Sequence, residues 1–203
     1  MEFKPELITL GQQAKQRAAA GRDRPVDIHI RRASPKDALE YAKNHIACWQ
    51  AAYKDIISDE YLNNMNVDEM AENTQRILSE PGQYSCYYVE HSGKMIGRLV
   101  MGKCRDEDKA NAGEIAAMYL LGEFWGKGYG REMMEFSLAE LKRMGHEEVF
   151  LWVLEANSRA RRFYEKRGFL FDGTKKEINI DTPLIGMRYS RRLEVYPKTK
   201  FSM

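Results

Sequence analysis

Cysteine is scarce in this chain: there are three in 203 residues, at Cys48, Cys86 and Cys104. An odd number at such wide separation supplies neither a disulfide framework nor a zinc-ligand set, and it fits a reducing, cytoplasmic compartment. Histidine is equally thin. The four, His29, His45, His91 and His146, show no metal-ligand spacing, so no metal is expected. Net charge is almost absent, because 32 Lys and Arg against 30 Asp and Glu leave only +2, and no overall field draws the protein to nucleic acid or to a membrane surface. No apolar run is long enough to span a bilayer, and the N-terminal stretch lacks the apolar segment of a secretory signal. No internal repeat and no serine-based triad is legible. What remains is a chain of 43% hydrophobic residues, long enough for one well-buried domain. That domain is expected over residues 26–196, after an extension at 1–25 that is helical from Glu6 to Ala20 and before a tail at 197–203.

What is present is periodicity. Ile28, Ile30 and Ala33 alternate as a first strand, and Ser34, Pro35 and Asp37 then carry the signals of a helix start. Ala38, Tyr41, Ala42, His45 and Trp49 follow at helical spacing. A bent connection leads to a second helix, and a third runs from Val67 to Leu78, ended by Pro81 and Gly82. Tyr84 to Glu90 and Met95 to Lys103 read as a hairpin turning at Ser92 and Gly93. Ala112 to Leu121 is a further strand. After it a helix places Met134, Leu138 and Leu141 on one face, and the run VFLWVL is a strand buried on both sides. Strand, helix and strand make a right-handed crossover of two parallel strands. Phe169 to Thr174 and Gly186 to Arg192 close the chain as two more strands, expected to be antiparallel. The fold class is α/β with a mixed sheet.

The densest chemistry lies in GEIAAMYLLGEFWGKGYGREMM, residues 113 to 134. Gly126, Gly128 and Gly130 strip side chains from a loop whose N–H groups can close on an anion, and the following helix adds the positive end of its dipole. A pyrophosphate suits such a cradle. Glycine spacing alone also matches a dinucleotide fold, and the next strand ends at Glu155, about where a ribose-binding acid would stand. The chain has no P-loop lysine–serine pair. The segment NSRARRFYEKRGF, Asn157 to Phe169, separates the readings better: a capping residue opens a short helix, and Gly168 closes it.

Together the two segments resemble motifs A and B of the GNAT superfamily of N-acetyltransferases, roughly Q/R-x-x-G-x-G/A and N-x-x-A-x-x-F-Y-x-x-x-G-F. Gly128 and Gly130 match the first motif, and Asn157, Ala160, Phe163, Tyr164, Gly168 and Phe169 match the second. The resemblance covers about residues 28 to 192. It departs at Trp125, which stands where the motif has Gln or Arg; an indole cannot replace a guanidinium toward phosphate, so Lys127 or Arg131 is expected to supply the charge.

The resemblance implies a mixed sheet of about seven strands flanked by helices, with acetyl-CoA lying where the two parallel strands splay apart. The main chain of Met118, Tyr119 and Leu120 would meet the pantetheine arm, and Ala116 and Ala117 are small enough for close approach. Gly126, Lys127, Gly128, Tyr129, Gly130 and Arg131 would hold the pyrophosphate, with Asn157, Ala160 and Phe163 against the arm. Asn157 is equally a helix cap. Arg159, Arg161, Arg162, Lys166 and Arg167 read as a patch for the CoA 3′-phosphate or for nucleic acid, or as a solvated face in which Arg161 and Glu165 pair.

Tyr164 matches the family's general acid, and Ala160, Phe163 and Tyr164 share one helix side, so it faces inward; its other reading is a core aromatic beside Phe163. Glu114, where many family members carry a glutamate near the acceptor amine, is the candidate base, with a strand-end surface acid as the alternative. Trp49, Tyr53 and Asp55, with Asp59 and Glu60 nearby, are the candidate acceptor contacts and would suit a cationic amine. The expected function is direct acetyl transfer to a primary amine of a small molecule or peptide, by a protein that can homodimerise. A CoA-holding sensor or interaction module with the same fold is the competing reading.

Overall fold

The computed structural model describes residues 26–80 and 82–193. The helix expected at Glu6 to Ala20, Pro81 as a helix stop, and the tail at 197–203 lie outside the described residues.

Strand β1 (His29–Arg32) runs into a single tight turn at Pro35–Asp37 and then helix α1 (Ala38–Ala52). The Asp37 carboxylate organises this start. It accepts hydrogen bonds from the Ser34 amide (2.7 Å) and hydroxyl and a two-point contact from Arg31 (2.8 Å each). The Arg31 guanidinium holds that carboxyl well below its ordinary pKa. Helix α2 (Asp59–Asn63) is capped by the Ser58 hydroxyl, and α3 (Val67–Ser79) by the Asn66 side chain. The hairpin β2 (Tyr84–His91) and β3 (Lys94–Lys103) turns on Ser92 and Gly93, both at positive φ, which suits the right-handed strand twist. Then come β4 (Gly113–Leu120), α4 (Tyr129–Arg143), β5 (Glu148–Leu154), α5 (Ser158–Glu165), β6 (Leu170–Ile180) and β7 (Thr182–Arg192).

The seven strands form one sheet in the order β1-β2-β3-β4-β5-β7-β6, antiparallel except for β4 beside β5. Alternation along the strands sorts side chains onto two faces. Tyr87, Val89, Leu99, Met101 and Ile115 join Met133, Met134, Leu138 and Leu141 of α4 in the main core. Tyr88 and Met95 face the other way, onto Tyr41 of α1. Gly97 lets β3 lie close to β4, since a Cβ there would stand 2.5 Å from the Tyr119 carbonyl oxygen.

The last two strands are longer than their pattern suggests. They run through Lys175–Ile180 and Thr182–Ile185, which the sequence reading left out, and turn at Asp181. Strand β6 is an edge strand with most side chains in solvent, so no apolar alternation marks it, and Pro183 sits near the start of β7, where a proline is tolerated.

Candidate active site

The cleft begins as a failure of strand pairing. Strands β4 and β5 pair only at Gly113 with Val149 and at Glu114 with Phe150, and beyond that they diverge. On its other side β4 stays bonded to β3, but the register slips at Ala116, leaving one extra residue bulged and exposed. The gap is a cavity of about 390 Å³ floored by Ile115 to Leu120 and walled by Asn157, Ala160, Phe163 and Tyr164 of the α5 segment.

At one end stands the glycine loop. Gly126 and Gly128 have φ of 72° and 96°, a region that penalises any side chain, and Gly128 is the cap of α4. The first N–H groups of that helix have no partner within it and form, with the loop, a donor-rich lip on the cleft. Gly126, Gly128, Gly130 and Arg131 line the cleft, and Arg131 also pairs with Glu132 at 3.1 Å. Two loop side chains expected here are elsewhere. Lys127 is exposed and reaches toward Phe124, and Tyr129 is buried between Phe124 and His91, because the first inward position of α4 is needed by the core.

At Trp125, the position where the motif has Gln or Arg, a cation from a different element lies alongside. The Trp125 indole donates to the Leu120 carbonyl (2.8 Å), pinning the loop to the strand, and the Arg159 guanidinium of α5 stacks 3.1 Å over its ring. Arg159 and Arg167 both line the cleft. Asn157 is buried, and its Oδ1 caps α5 by accepting from the Ala160 amide (3.0 Å).

At the opposite end is a group of aromatics. The Tyr53 and Tyr119 hydroxyls share a 2.7 Å hydrogen bond across the mouth. Trp49 stacks on His45 and meets Tyr53 edge-on, with ring centroids 5.0 Å apart in each pair. Tyr164 lines the cleft, with its ring edge-on to Phe163 and Phe169, and its hydroxyl has no protein hydrogen bond among the described residues. Burial raises the pKa of the Tyr164 phenol and likewise those of Tyr53 and Tyr119, so all three stay protonated donors. Burial pushes His45 down to about 3, so it is neutral.

The acids expected near the acceptor are not in the cleft. Asp55 sits exposed in a turn at φ 65°, and Asp59 and Glu60 are exposed on α2. Glu114 is 2% exposed; its carboxylate takes Arg105 (2.9 Å) and the Tyr84 hydroxyl (2.6 Å) and does not line the cavity. Pointing into the paired end of β4, it finds β3-side partners instead of the gap. No carboxylate and no histidine lines the cleft among the described residues. Sequence reasoning missed three features here: the Tyr53–Tyr119 bond, the Arg159–Trp125 stack, and a buried Arg98 behind Tyr119. An arginine inside the apolar strand MIGRLVM was the one visible signal of the third.

A mixed sheet that opens between its two parallel strands, with a glycine loop and a helix N-terminus at one end of the gap and a phenol inside it, is the architecture of an acyltransferase. The chain's relationships agree. A family model described as Acetyltransferase (GNAT) family matches residues 38–169, well over half of the chain, and the chain belongs to that family. Its co-substrate is acetyl-CoA. It is 31% identical over 130 residues to the uncharacterised N-acetyltransferase YuaI of Bacillus subtilis, covering 64% of this chain and 73% of that one. It is 27% identical over 173 residues to the probable N-acetyltransferase Rv2775 of Mycobacterium tuberculosis, covering 83% and 97%. In fold it resembles the PaiA N-acetyltransferase of Thermoplasma acidophilum, solved in complex with coenzyme A, with a TM-score of 0.64 at 21% identity over 83% of this chain and 100% of that one.

Proposed function

We propose that this protein transfers an acetyl group from acetyl-CoA directly to a primary amine of a small molecule or peptide. The observation that carries the reading is the gap between β4 and β5 with the unbonded Tyr164 hydroxyl inside it. In this reading the main chain of Met118, Tyr119 and Leu120 lies along the pantetheine arm as a neighbouring strand would, on the side that β5 has vacated. The lip of Gly126, Gly128 and Gly130 takes the pyrophosphate, with positive charge from Arg131, Arg159 and Arg167. Asn157 keeps its capping bond through Oδ1 and offers Nδ2 to the arm, while Ala160 and Phe163 pack against it.

Amide formation joins the amine nitrogen to the acetyl carbon and breaks the carbon–sulfur bond, and the departing sulfur takes up a proton. Tyr164 is the group to give it, because burial keeps the phenol protonated and no protein acceptor competes for it. The amine must arrive or become unprotonated. A lysine-like amine, with an ordinary pKa of about 10.4, pays about 4.6 kcal/mol for that at pH 7. With no carboxylate lining the cleft among the described residues, the proton leaves to water rather than to Glu114, whose carboxylate is committed to Arg105 and Tyr84.

The test is thiol release from acetyl-CoA against polyamines, aminoglycosides, amino acids and short peptides, with Tyr164→Phe as control. Release with one amine class that falls in the variant supports the reading. Tight CoA binding without release for any amine would favour the sensor or interaction module.

A further inference from the structure

Two arginines are buried among the described residues, and the fold treats them differently. Arg188, 5% exposed, is met by Asp106, Asp108 and Asp172 at 2.9, 2.7 and 2.6 Å. Arg98, 8% exposed on β3, has no ion pair among the described residues, and its Nε makes no hydrogen bond. Its guanidinium lies against the rings of Tyr41 (5.4 Å) and Tyr119 (5.0 Å). A buried cation without a carboxylate is costly, and two tyrosine faces offset only part of the cost.

Two more donors, on α1, are also unpartnered among the described residues. The Trp49 indole N–H and the Asn44 Nδ2 are buried without a hydrogen bond, although the Asn44 oxygen accepts from Cys48. Helix α1 packs on β3 and β4, and Trp49 is 6.3 Å from the Tyr119 ring. Every orphan in this corner is a donor, so what the corner lacks is an acceptor. Each nearby carboxylate is committed elsewhere: Glu40 to Tyr88, Asp37 to Arg31, Glu114 to Arg105. Arg98, Trp49 and Asn44 do not themselves line the cavity; the corner adjoins the acceptor end of the cleft through Tyr119 and Tyr53, which do.

We infer that the amine acceptor carries a carboxylate, as an amino acid does, and that the positive charge of Arg98, acting across the Tyr119 ring, recognises it. The inference rests on the acetyltransferase reading above and narrows its acceptor class. It also reverses the expectation of a purely cationic acceptor, because Asp55, Asp59 and Glu60 stay outside the cleft while a positive charge stands behind it.

The test uses matched pairs that differ only in the carboxylate: phenylalanine with phenethylamine, lysine with cadaverine, arginine with agmatine. Binding to the CoA-saturated full-length protein is measured by calorimetry, and thiol release from acetyl-CoA in parallel. At least one acid should bind about 10-fold or more tightly than its decarboxylated amine, as a unit charge across one ring implies at intermediate effective dielectric. Arg98→Gln should erase that preference by weakening the acid alone, and Arg98→Lys should restore part of it. If Arg98→Gln does not fold, Arg98→Met, which keeps the aliphatic packing and removes the charge, carries the test and should weaken the acid more than the amine. Equal binding of both members, binding of neither, or a preference that survives both variants would overturn the inference. Acids that bind without thiol release would sink the acetyltransferase reading and leave the carboxylate site standing. Amines that turn over with no preference for acids would do the reverse.

Discussion

Replacing Tyr164 by phenylalanine removes one oxygen and leaves intact every protein contact that the ring makes. The ring stays edge-on to Phe163 at 5.5 Å and to Phe169 at 6.1 Å, and the hydroxyl has no protein hydrogen bond to lose among the described residues. Taking an unpartnered hydroxyl out of a mostly buried place is neutral or favourable to the fold, by up to about 1 kcal/mol. For a domain of this size that corresponds to a Tm unchanged or raised by about 2–4 °C. Turnover should move the other way. A positioned general acid contributes typically about 10²–10⁴-fold, and a phenol whose pKa has been raised by burial is a weaker acid than usual, which places the expected loss in kcat at about 10–100-fold. Acetyl-CoA affinity, held by backbone and arginines, should change less than about 2-fold. The assay is steady-state thiol release beside a thermal melt and a CoA titration. A melt that falls while kcat holds would make Tyr164 a packing residue and refute the argument.

Glu114→Gln should cost about 2 kcal/mol, or roughly 4–8 °C in Tm, because the Arg105 ion pair is lost around a buried oxygen, discounted because Arg105 is partly exposed. Its pH–rate profile should overlay that of the parent, and a selective loss at low pH would return Glu114 to the mechanism. Arg159→Gln should raise the KM for acetyl-CoA about 10-fold with kcat within about 2-fold, from one charge-assisted contact, and an unchanged KM would remove Arg159 from phosphate binding. The log of kcat/KM should rise with pH at unit slope to the acceptor's own pKa, with no break between about pH 5 and 7. His45, pushed down to about 3, is neutral throughout that window, and Tyr164, raised above its ordinary value, is protonated throughout it. An inflection near pH 6 in a profile measured with a lysine-like amine would reveal an ionising base that the cleft lining does not contain.

Local signals were enough for the elements near the cleft. Ser34-Pro35-x-Asp37 closes its own hydrogen bonds within four residues, and glycines at 126 and 128 are needed where the backbone turns left-handed. The second motif places Asn157 as a cap and Tyr164 on the inward side of α5, since a helix of fixed pitch leaves them no other arrangement. Strand β6 was legible only in its first residues, because an edge strand in solvent has no buried face to impose alternation.

The sequence by itself determined the family, the sheet's parallel crossover and the glycine loop, because each rests on a motif of a few residues or on a hydrophobic pattern along one element. Only the tertiary structure decided which charges face the cleft. Arg159 reaches Trp125 from 34 positions away and stacks on its ring, Glu114 is drawn to Arg105 and Tyr84, and Arg98 lies behind Tyr119 with no ion pair among the described residues. Those outcomes depend on where strands β3, β4 and β5 stand relative to one another and to α1 and α5. Charge pairing is a property of distance in space, and spacing along the chain does not encode it.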